Sequence, residues 1–585
     1  MYRQLITIFL VSAAHFAFCQ KQAEFPLKKL PIENWKIEGS KWQKAKDFSV
    51  FPELFESKKF KLESGNEILF AKDGAGIVSS NVSTKDVKLR FEFALDGMSR
   101  NTVFIQGKYG IALNYPMQSY PMGSILGEKT ILPTKYSSKE AGLWQTIEIV
   151  FSAKDGNKPA TIEKIVVNGL TVQQNIVLNK PTTDAPFIGS ENPLAIANHA
   201  GKIAIRNVEY LPYETGNPIT ISDLTYKIQE TQDWDRTFEV KDTKPEMGTS
   251  SQLTAEVQTN FKRFILTYTG KMNVNKTDKY ALTIDYMGVG NLKIDGKDVV
   301  GSTEYLYRSP QTGFVELTAG EHTFEYRYQR IWWRPALGLF VSSAEIRPYP
   351  LHPASSLPDP EPVSEIFVNP NSQKAEMIRS FVMFENKKRT HVISVGIKNN
   401  HQVKVNDLDL FQNINYSFDL NQGTLLYAWK GDFANVTEMW HERGEPQILQ
   451  PNGLITKFEG KPAFVDINKP SPDSLDQEKD LIFKKYEIYN GFPFFTYHYG
   501  GIDYRINYSI KDYTLVCDVA ASSPSNIYYK AMSGKSITQI NKTTYLIDDK
   551  YVYLHGKAKP IIRNAKAGQE LLLPLSSPIK YMVNW

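Results

Sequence analysis

The 585-residue sequence predicts an all-β, multi-domain protein, and three observations carry that expectation. Nearly every segment is a short run rich in β-branched or aromatic residues, bounded by Gly, Asn, Asp or Pro. Aromatic residues are in excess, with 31 Tyr, 32 Phe and 9 Trp, and Tyr and Phe favour strands. Helical periodicity sustained over more than two turns is hard to find.

Individual runs bear this out. Val87 to Phe93 alternates apolar and polar residues, as do Thr146 to Ile149 and Thr323 to Tyr328, the period of a half-buried strand. Asn168-Gly169 and Asp295-Gly296 stand between such runs and read as hairpin turns. The pattern breaks at Tyr210 to Pro218 and again at Arg347 to Val363, where prolines at 348, 350, 353, 358, 360 and 362 favour an extended, semi-rigid spacer. Three blocks follow, 25–215, 220–347 and 365–585, with a Pro-rich linker at 348–363.

The first residues address location. Arg3 precedes an apolar run, Leu5 to Ala14, and Ala17-Phe18-Cys19 puts small residues where a signal peptidase reads. Residues 1–19 are therefore expected to be a signal peptide, and the mature chain to be exported, periplasmic or extracellular. The apolar run is too short for a membrane span, and nothing later approaches one. Of the two cysteines, Cys19 would leave with the signal, so no intramolecular disulfide is expected. Cys517 sits in a valine-rich run, Tyr513 to Ala520, where burial is expected rather than reactivity. The net charge of +5 is small and scattered, so it does not argue for nucleic acid. No cofactor is expected. Tyr and Trp also form the flat, half-polar surfaces on which sugars stack, so carbohydrate is the partner class the composition favours.

In the first block, four patches occur in order: Arg100 to Tyr109, Gly142 to Ile149, Val166 to Gly169, and Leu194 to Val208. Together they resemble the 3-keto-disaccharide hydrolase domain, a concanavalin-like, lectin-type jelly roll. The resemblance implies a concave sugar face to which Gln106, Tyr109, His199 and Arg206 contribute. It departs where the family carries Glu-hydrophobic-Gln after the Tyr, since those positions are Gly110 and Ala112 here, and where Ala197 replaces a Gln of the closing strand. Alternate strand residues share a side, so Gly110 and Ala112 are expected in or beside the pocket. Glycosidic cleavage generally asks for a positioned carboxyl, so a degenerate domain that binds sugar or is purely architectural is expected. Trp144 also reads as core, and His199 as satisfying a turn.

In the second block, Phe264 to Val274, Lys279 to Ile284, Leu292 to Lys297, Val315 to His322 and Phe324 to Tyr328 resemble the protective-antigen-type β-barrel module, which occurs in glycosidases, toxins and fungal adhesins. Sugar-binding members place paired aspartates before "Ile-Asp-Gly" to hold calcium. Asp285 to Gly290 offers one carboxylate where calcium wants several oxygens, so no metal is expected. Trp332 and Trp333 beside Arg334 read either as an exposed stacking platform or as partly packed into the barrel.

In the third block, Asn415 to Asp419, Leu426 to Phe433 and Tyr486 to Tyr497 resemble a β-rich region found beside c-type cytochromes in exported proteins linked to sugar oxidation. That resemblance implies an exported cytochrome or oxidoreductase as a partner, although this chain has no haem-attaching motif. Trp440-His441-Glu442-Arg443-Gly444 is the most site-like run: a stacking surface, a proton-transfer group, a carboxylate and a fixed cation. His441, Glu442 and Arg443 are the candidate catalytic residues, with Trp440 as a sugar platform. On a strand His441 and Glu442 face opposite ways, so only a loop would let them act together. The structural alternative pairs Arg443 with Asp432. No His-Glu-x-x-His helix and no serine nucleophile elbow is present. The expected function is an exported carbohydrate-binding or glycan-processing accessory protein. The alternatives are an active hydrolase or lyase on 3-keto-glycosides, and a structural or adhesion protein of a surface complex.

Overall fold

The computed structural model describes residues 25–585 except 38–40, 54–55, 116–119, 188–191, 233–235, 306–309, 332–333, 359–363, 372–373, 380, 383–388, 390, 400–403, 406–407, 410–412, 441–447 and 557–558. The expected signal peptide, Trp332, Trp333, His441, Glu442 and Arg443 lie outside the described residues. The all-β expectation holds: among the described residues the helical elements are a four-residue α-helix, Thr437–Trp440, and the 3-10 turns Ile32–Asn34 and Ala354–Ser356. No described helix is long and apolar enough to cross a membrane.

The chain forms two compact units. One holds Leu211–Ser364 together with residues 25–28, and the other joins Lys29–Tyr210 to Glu365–Trp585.

The first part of the joined unit is a jelly-roll sandwich of an eight-stranded and a six-stranded sheet. In the six-stranded sheet, Trp35–Lys36, Gly76–Ser83, Pro193–Ala200, Arg100–Ile105, Tyr109–Ala112 and Ile125–Leu126 lie side by side in that order. Val78, Val103, Ile105, Ile111 and Ile196 from this sheet meet Leu89, Phe91, Phe93, Ile147 and Ile149 from the other in one buried core. Strict alternation along each strand therefore sends Thr102, Phe104, Gly110, Ala112, Ala195 and Ala197 to the opposite face. Buried Asn198 fixes one end of the sheet. Its Oδ1 accepts from the Gly74 and Ala75 amides, and its Nδ2 donates to Asn101 Oδ1 and to the Ala200 and Gly201 carbonyls.

The Leu211–Ser364 unit also packs two sheets, six-stranded and four-stranded. Its core is rich in tyrosine, with Tyr268, Tyr280, Tyr286, Tyr326 and Tyr328 all buried. Asp295 and Gly296 take φ of 48° and 74° between the strands Gly288–Ile294 and Lys297–Tyr305, the left-handed pair that a tight hairpin requires.

In Glu365–Trp585 the aromatic runs mostly face inward: Tyr416, Phe418, Trp429, Phe495 and Tyr497 are buried. Cys517 is buried as expected, and burial pushes its thiol up to about 12, which keeps it protonated and unreactive.

The two parts of this unit meet through Leu143, which packs among Val516, Tyr551, Tyr553 and Met582. Gly142 allows the approach: its φ is 81°, and a Cβ there would lie 2.8 Å from the Tyr551 hydroxyl and from Val50 Cβ. Tyr551 donates to the Ala141 carbonyl at 3.2 Å, and Lys139 pairs with Asp549 at 2.9 Å. A polar chain runs beside this patch. Glu140 accepts from the Tyr115 hydroxyl (2.9 Å) and from Asn584 Nδ2 (2.6 Å). Asn584 Oδ1 in turn accepts from Lys430 Nζ, which also donates to the Trp585 main-chain oxygen at 2.9 Å. Burial pushes the Lys430 ammonium down to about 8, with the Glu140 carboxylate opposing the shift.

An unfolded lysine titrates near 10.4. Between pH 8 and that value the unfolded chain binds the proton that folded Lys430 has released, so this residue's contribution to stability rises with pH. Relative to Lys430→Met, the wild type is expected to gain about 3 kcal/mol between pH 7.5 and 10.5, measured by urea unfolding at both values. Parallel stability curves for the two proteins would contradict this.

Candidate functional site

The face of the six-stranded sheet turned away from the core is where the jelly-roll resemblance places a sugar. Antiparallel register aligns Ala197 with Thr102 and Ala195 with Phe104. It also aligns Thr102 with Ala112 and Phe104 with Gly110. The result is a floor of small and apolar groups, all of them buried. Thr182 and Phe187, from the segment that follows the strand Leu170–Leu178, cover this floor. Thr182 Oγ1 accepts from the Gly110 amide at 2.7 Å and donates to the Leu126 carbonyl at 2.8 Å. The Phe187 amide donates to the Gly107 carbonyl, and its ring packs on Phe104, Ala195 and Ala197.

Gly110, where the family carries its acid, leaves only tight space for a side chain. A Cβ there would stand 3.0 Å from Thr102 Cγ2, 3.1 Å from Phe104 Cε1 and 3.1 Å from Thr182 Oγ1. The sequence has no carboxylate at this position, and Thr102, Phe104 and Thr182 crowd the point from which a side chain would leave the strand.

Of the residues expected on this face, His199 is the one found at its rim, with Nε2 3.1 Å from Thr102 Oγ1. The residue as a whole is exposed. Even so, partial burial of the ring and then the Arg100 charge hold its pKa below the usual value, opposed by Asp184 on the covering segment. A neutral imidazole at pH 7 follows, able to exchange a hydrogen bond with Thr102. Gln106 is buried in the turn after Arg100–Ile105, with φ 57°, and its amide donates to Thr84 Oγ1 at 2.7 Å. It holds that turn in place. Tyr109 alternates with Gly110 and so turns to the core side, where its ring meets Phe151 at 5.6 Å.

Arg206 belongs to the strand Lys202–Pro212 of the eight-stranded sheet, away from His199. Its Nε donates to Glu92 at 2.7 Å, and its guanidinium lies 3.8 Å over the Trp144 ring. Trp144 itself packs against a satellite cluster containing Phe48 and Phe70. The structure therefore does not gather Gln106, Tyr109, His199 and Arg206 into one pocket. Thr182 and Phe187 are the residues that decide the character of this face. No signal in the sequence announced them, because their role depends on where a loop folds back.

In the C-terminal part, Trp440 ends the short helix Thr437–Trp440 and is 53% exposed, open for stacking beside the undescribed run that follows. Asp432, the partner considered for Arg443, accepts from Asn369 Nδ2 and Asn452 Nδ2. Among the described residues, no group of three or more His, Cys, Asp or Glu side chains is placed to hold a metal ion.

Comparison with known proteins adds a family for one part of the chain. Residues 28–210 match the model of the 3-keto-alpha-glucoside-1,2-lyase-like domain. No curated protein matches. Among solved structures, the chain is similar to β-glucosidase from Kluyveromyces marxianus in complex with glucose, at 13% identity and a TM-score of 0.18, over 21% of this chain and 16% of that one. It is also similar to a putative glycosyl hydrolase from Parabacteroides distasonis, at 14% identity and a TM-score of 0.21, over 31% of this chain and 98% of that one. A third is an anti-sigma factor domain-containing protein from Clostridium clariflavum, at 13% identity and a TM-score of 0.20, over 54% and 98% of the two chains.

The filled floor makes a stability prediction. Gly110→Ala is expected to cost about 1–3 kcal/mol through overpacking against Phe104 and Thr182. Gly110→Glu is expected to cost more and to confer no hydrolysis of a 3-keto-glucoside. Thermal unfolding and product release would check both, and a Glu variant as stable as the wild type would show that the floor can open.

Proposed function

We propose that this chain is an exported carbohydrate-binding or glycan-processing accessory protein whose jelly roll does not itself break glycosidic bonds. The observation that carries the reading is the crowded floor at Gly110, where Thr102, Phe104 and Thr182 would stand 3.0–3.1 Å from a Cβ and Phe187 packs on the neighbouring Phe104, Ala195 and Ala197. The family match over residues 28–210 supports carbohydrate as the ligand class. Export rests on the residues of 1–19. The protective-antigen-type reading of the middle block and the cytochrome-adjacent reading of the last block rest on their sequence runs alone. They suit a multi-module protein that acts beside an exported oxidoreductase. Exposed Trp440 is the residue to which this reading gives sugar stacking, at roughly 1 kcal/mol or more beyond area burial.

The test incubates the purified mature protein with a 3-keto-disaccharide and 3-keto-glucosides, with and without divalent metal, and follows release by mass spectrometry alongside calorimetric binding. The expected result is binding without turnover, weakened at least fivefold by Trp440→Ala. Turnover that disappears in His441→Ala would move chemistry into the last block and overturn the accessory reading.

A further inference from the structure

A cleft of about 730 Å³ opens in the C-terminal part, within the roughly 300–1,000 Å³ typical of small-molecule sites. Its walls come from the end of the strand Ile448–Lys457, the loop that follows Phe464–Asp466, and the hairpins at Gly534 and Ala565. The base of the cleft is an assembled ionic floor. Lys530 Nζ, almost fully buried, lies 3.1 Å from Glu459 and 3.7 Å from the buried Glu570 carboxylate. Glu570 also accepts from both Nε (3.0 Å) and Nη2 (2.7 Å) of Arg563, which donates further to the Lys469 carbonyl and Ser471 Oγ. Glu459 further takes Ser533 Oγ at 2.7 Å and Lys461 at 2.9 Å. Burial would raise the Glu459 carboxyl, but the hydrogen bonds and charges of Lys461, Lys530 and Ser533 hold it at about 2, so Glu459 stays ionised across neutral pH.

Buried ion pairs of this kind add little net stability, because desolvation offsets their attraction. Their effect is geometric: each charge locks its neighbours, and the cleft receives a rigid, polar base. The walls are different. Base and walls together carry seven Lys or Arg side chains against four Asp or Glu. Glu459, Asp473 and Glu570 are consumed by Lys461, Lys530 and Arg563. Asp548 caps the Lys535 and Ser536 amides. Lys535 and Lys566 line the cleft, are exposed, and make no ion pair among the described residues. Asn468, Asn564 and Gln569 add neutral hydrogen-bonding groups.

We propose that this cleft binds a short acidic oligosaccharide, with Lys535 and Lys566 taking its anionic groups and the amides and serines taking its hydroxyls. An excess of uncommitted ammonium groups over a pre-organised polar base suits a polyhydroxylated anion and disfavours an apolar ligand. The inference rests on the carbohydrate reading above but uses none of the jelly-roll residues.

The test is calorimetric titration of the full mature protein with a galacturonic acid trisaccharide, a sulfated disaccharide and neutral maltotriose. An acidic ligand is expected to bind with an affinity that falls at least tenfold in the Lys535→Glu, Lys566→Glu double variant and falls again as salt is raised from 50 to 300 mM. Both side chains are exposed, so an unchanged thermal unfolding curve confirms that the variant is folded. Binding of only the uronate or only the sulfated ligand supports the site and assigns its anion. Equal affinity for maltotriose, or an acidic ligand indifferent to the double variant, overturns it. If the acidic ligands fail while maltotriose or a 3-keto sugar binds, the cleft inference falls and the accessory reading stands. If no saccharide binds, both fall.

Discussion

The larger unit depends on Leu143 reaching a patch made by strands more than 370 residues further along the chain. Val516, Tyr551, Tyr553 and Met582 surround it, and each such side chain contributes on the order of 1.5–3 kcal/mol when fully buried. That contact, with the Lys139–Asp549 pair and the Asn584–Glu140 hydrogen bond beside it, joins the jelly roll to the C-terminal sheets. With it, the chain leaves the unit at Tyr210, forms the middle unit, and returns at Glu365. Gly142 is what lets the backbone come close enough, and the Glu140–Asn584–Lys430 chain satisfies polar groups that the approach removes from water.

The same economy of volume governs the jelly roll's outer face. A hydrolase needs an open cup with a carboxyl aimed into it, and this sheet presents Gly110, Ala112, Ala195 and Ala197 beneath a folded-back segment. Small residues let Phe187 and Thr182 sit down on the sheet. Once they do, the floor gains packing and backbone hydrogen bonds that an open pocket would leave to water. The small residues of the sheet and the cover over this face thus go together.

How much of this was legible in the sequence follows from the range of each interaction. Alternation in Val87–Leu95 and the Asp295-Gly296 turn are local, and both read directly as a strand with one buried face and a left-handed hairpin. That position 110 carries glycine and no carboxyl was equally readable, being a matter of residue identity. The aromatic excess was harder to interpret: composition suggested stacking surfaces, yet Tyr416, Trp429, Tyr497, Tyr508 and Tyr529 are buried, because a β-sandwich core accepts large rings wherever two sheets meet. Least legible were contacts made across long separations. Lys530 meets Glu459 across 71 positions, Arg563 meets Ser471 across 92, and Asn584 meets Glu140 across 444, and no spacing rule connects such residues before the topology is known.

That last separation bears on how the protein is made. Ribosomes add roughly 5–20 residues per second, so the segment around Glu140 precedes the strand carrying Asn584 by about 20 to 90 seconds. During that interval Leu143 lacks the residues that surround it in the folded unit. Closing so long a loop adds only a modest entropic term, since that cost grows with the logarithm of length. The delay itself is therefore the hazard: a half-made chain displays an apolar patch whose proper partner has yet to be synthesised, and holding such chains apart becomes work for the cell's chaperones.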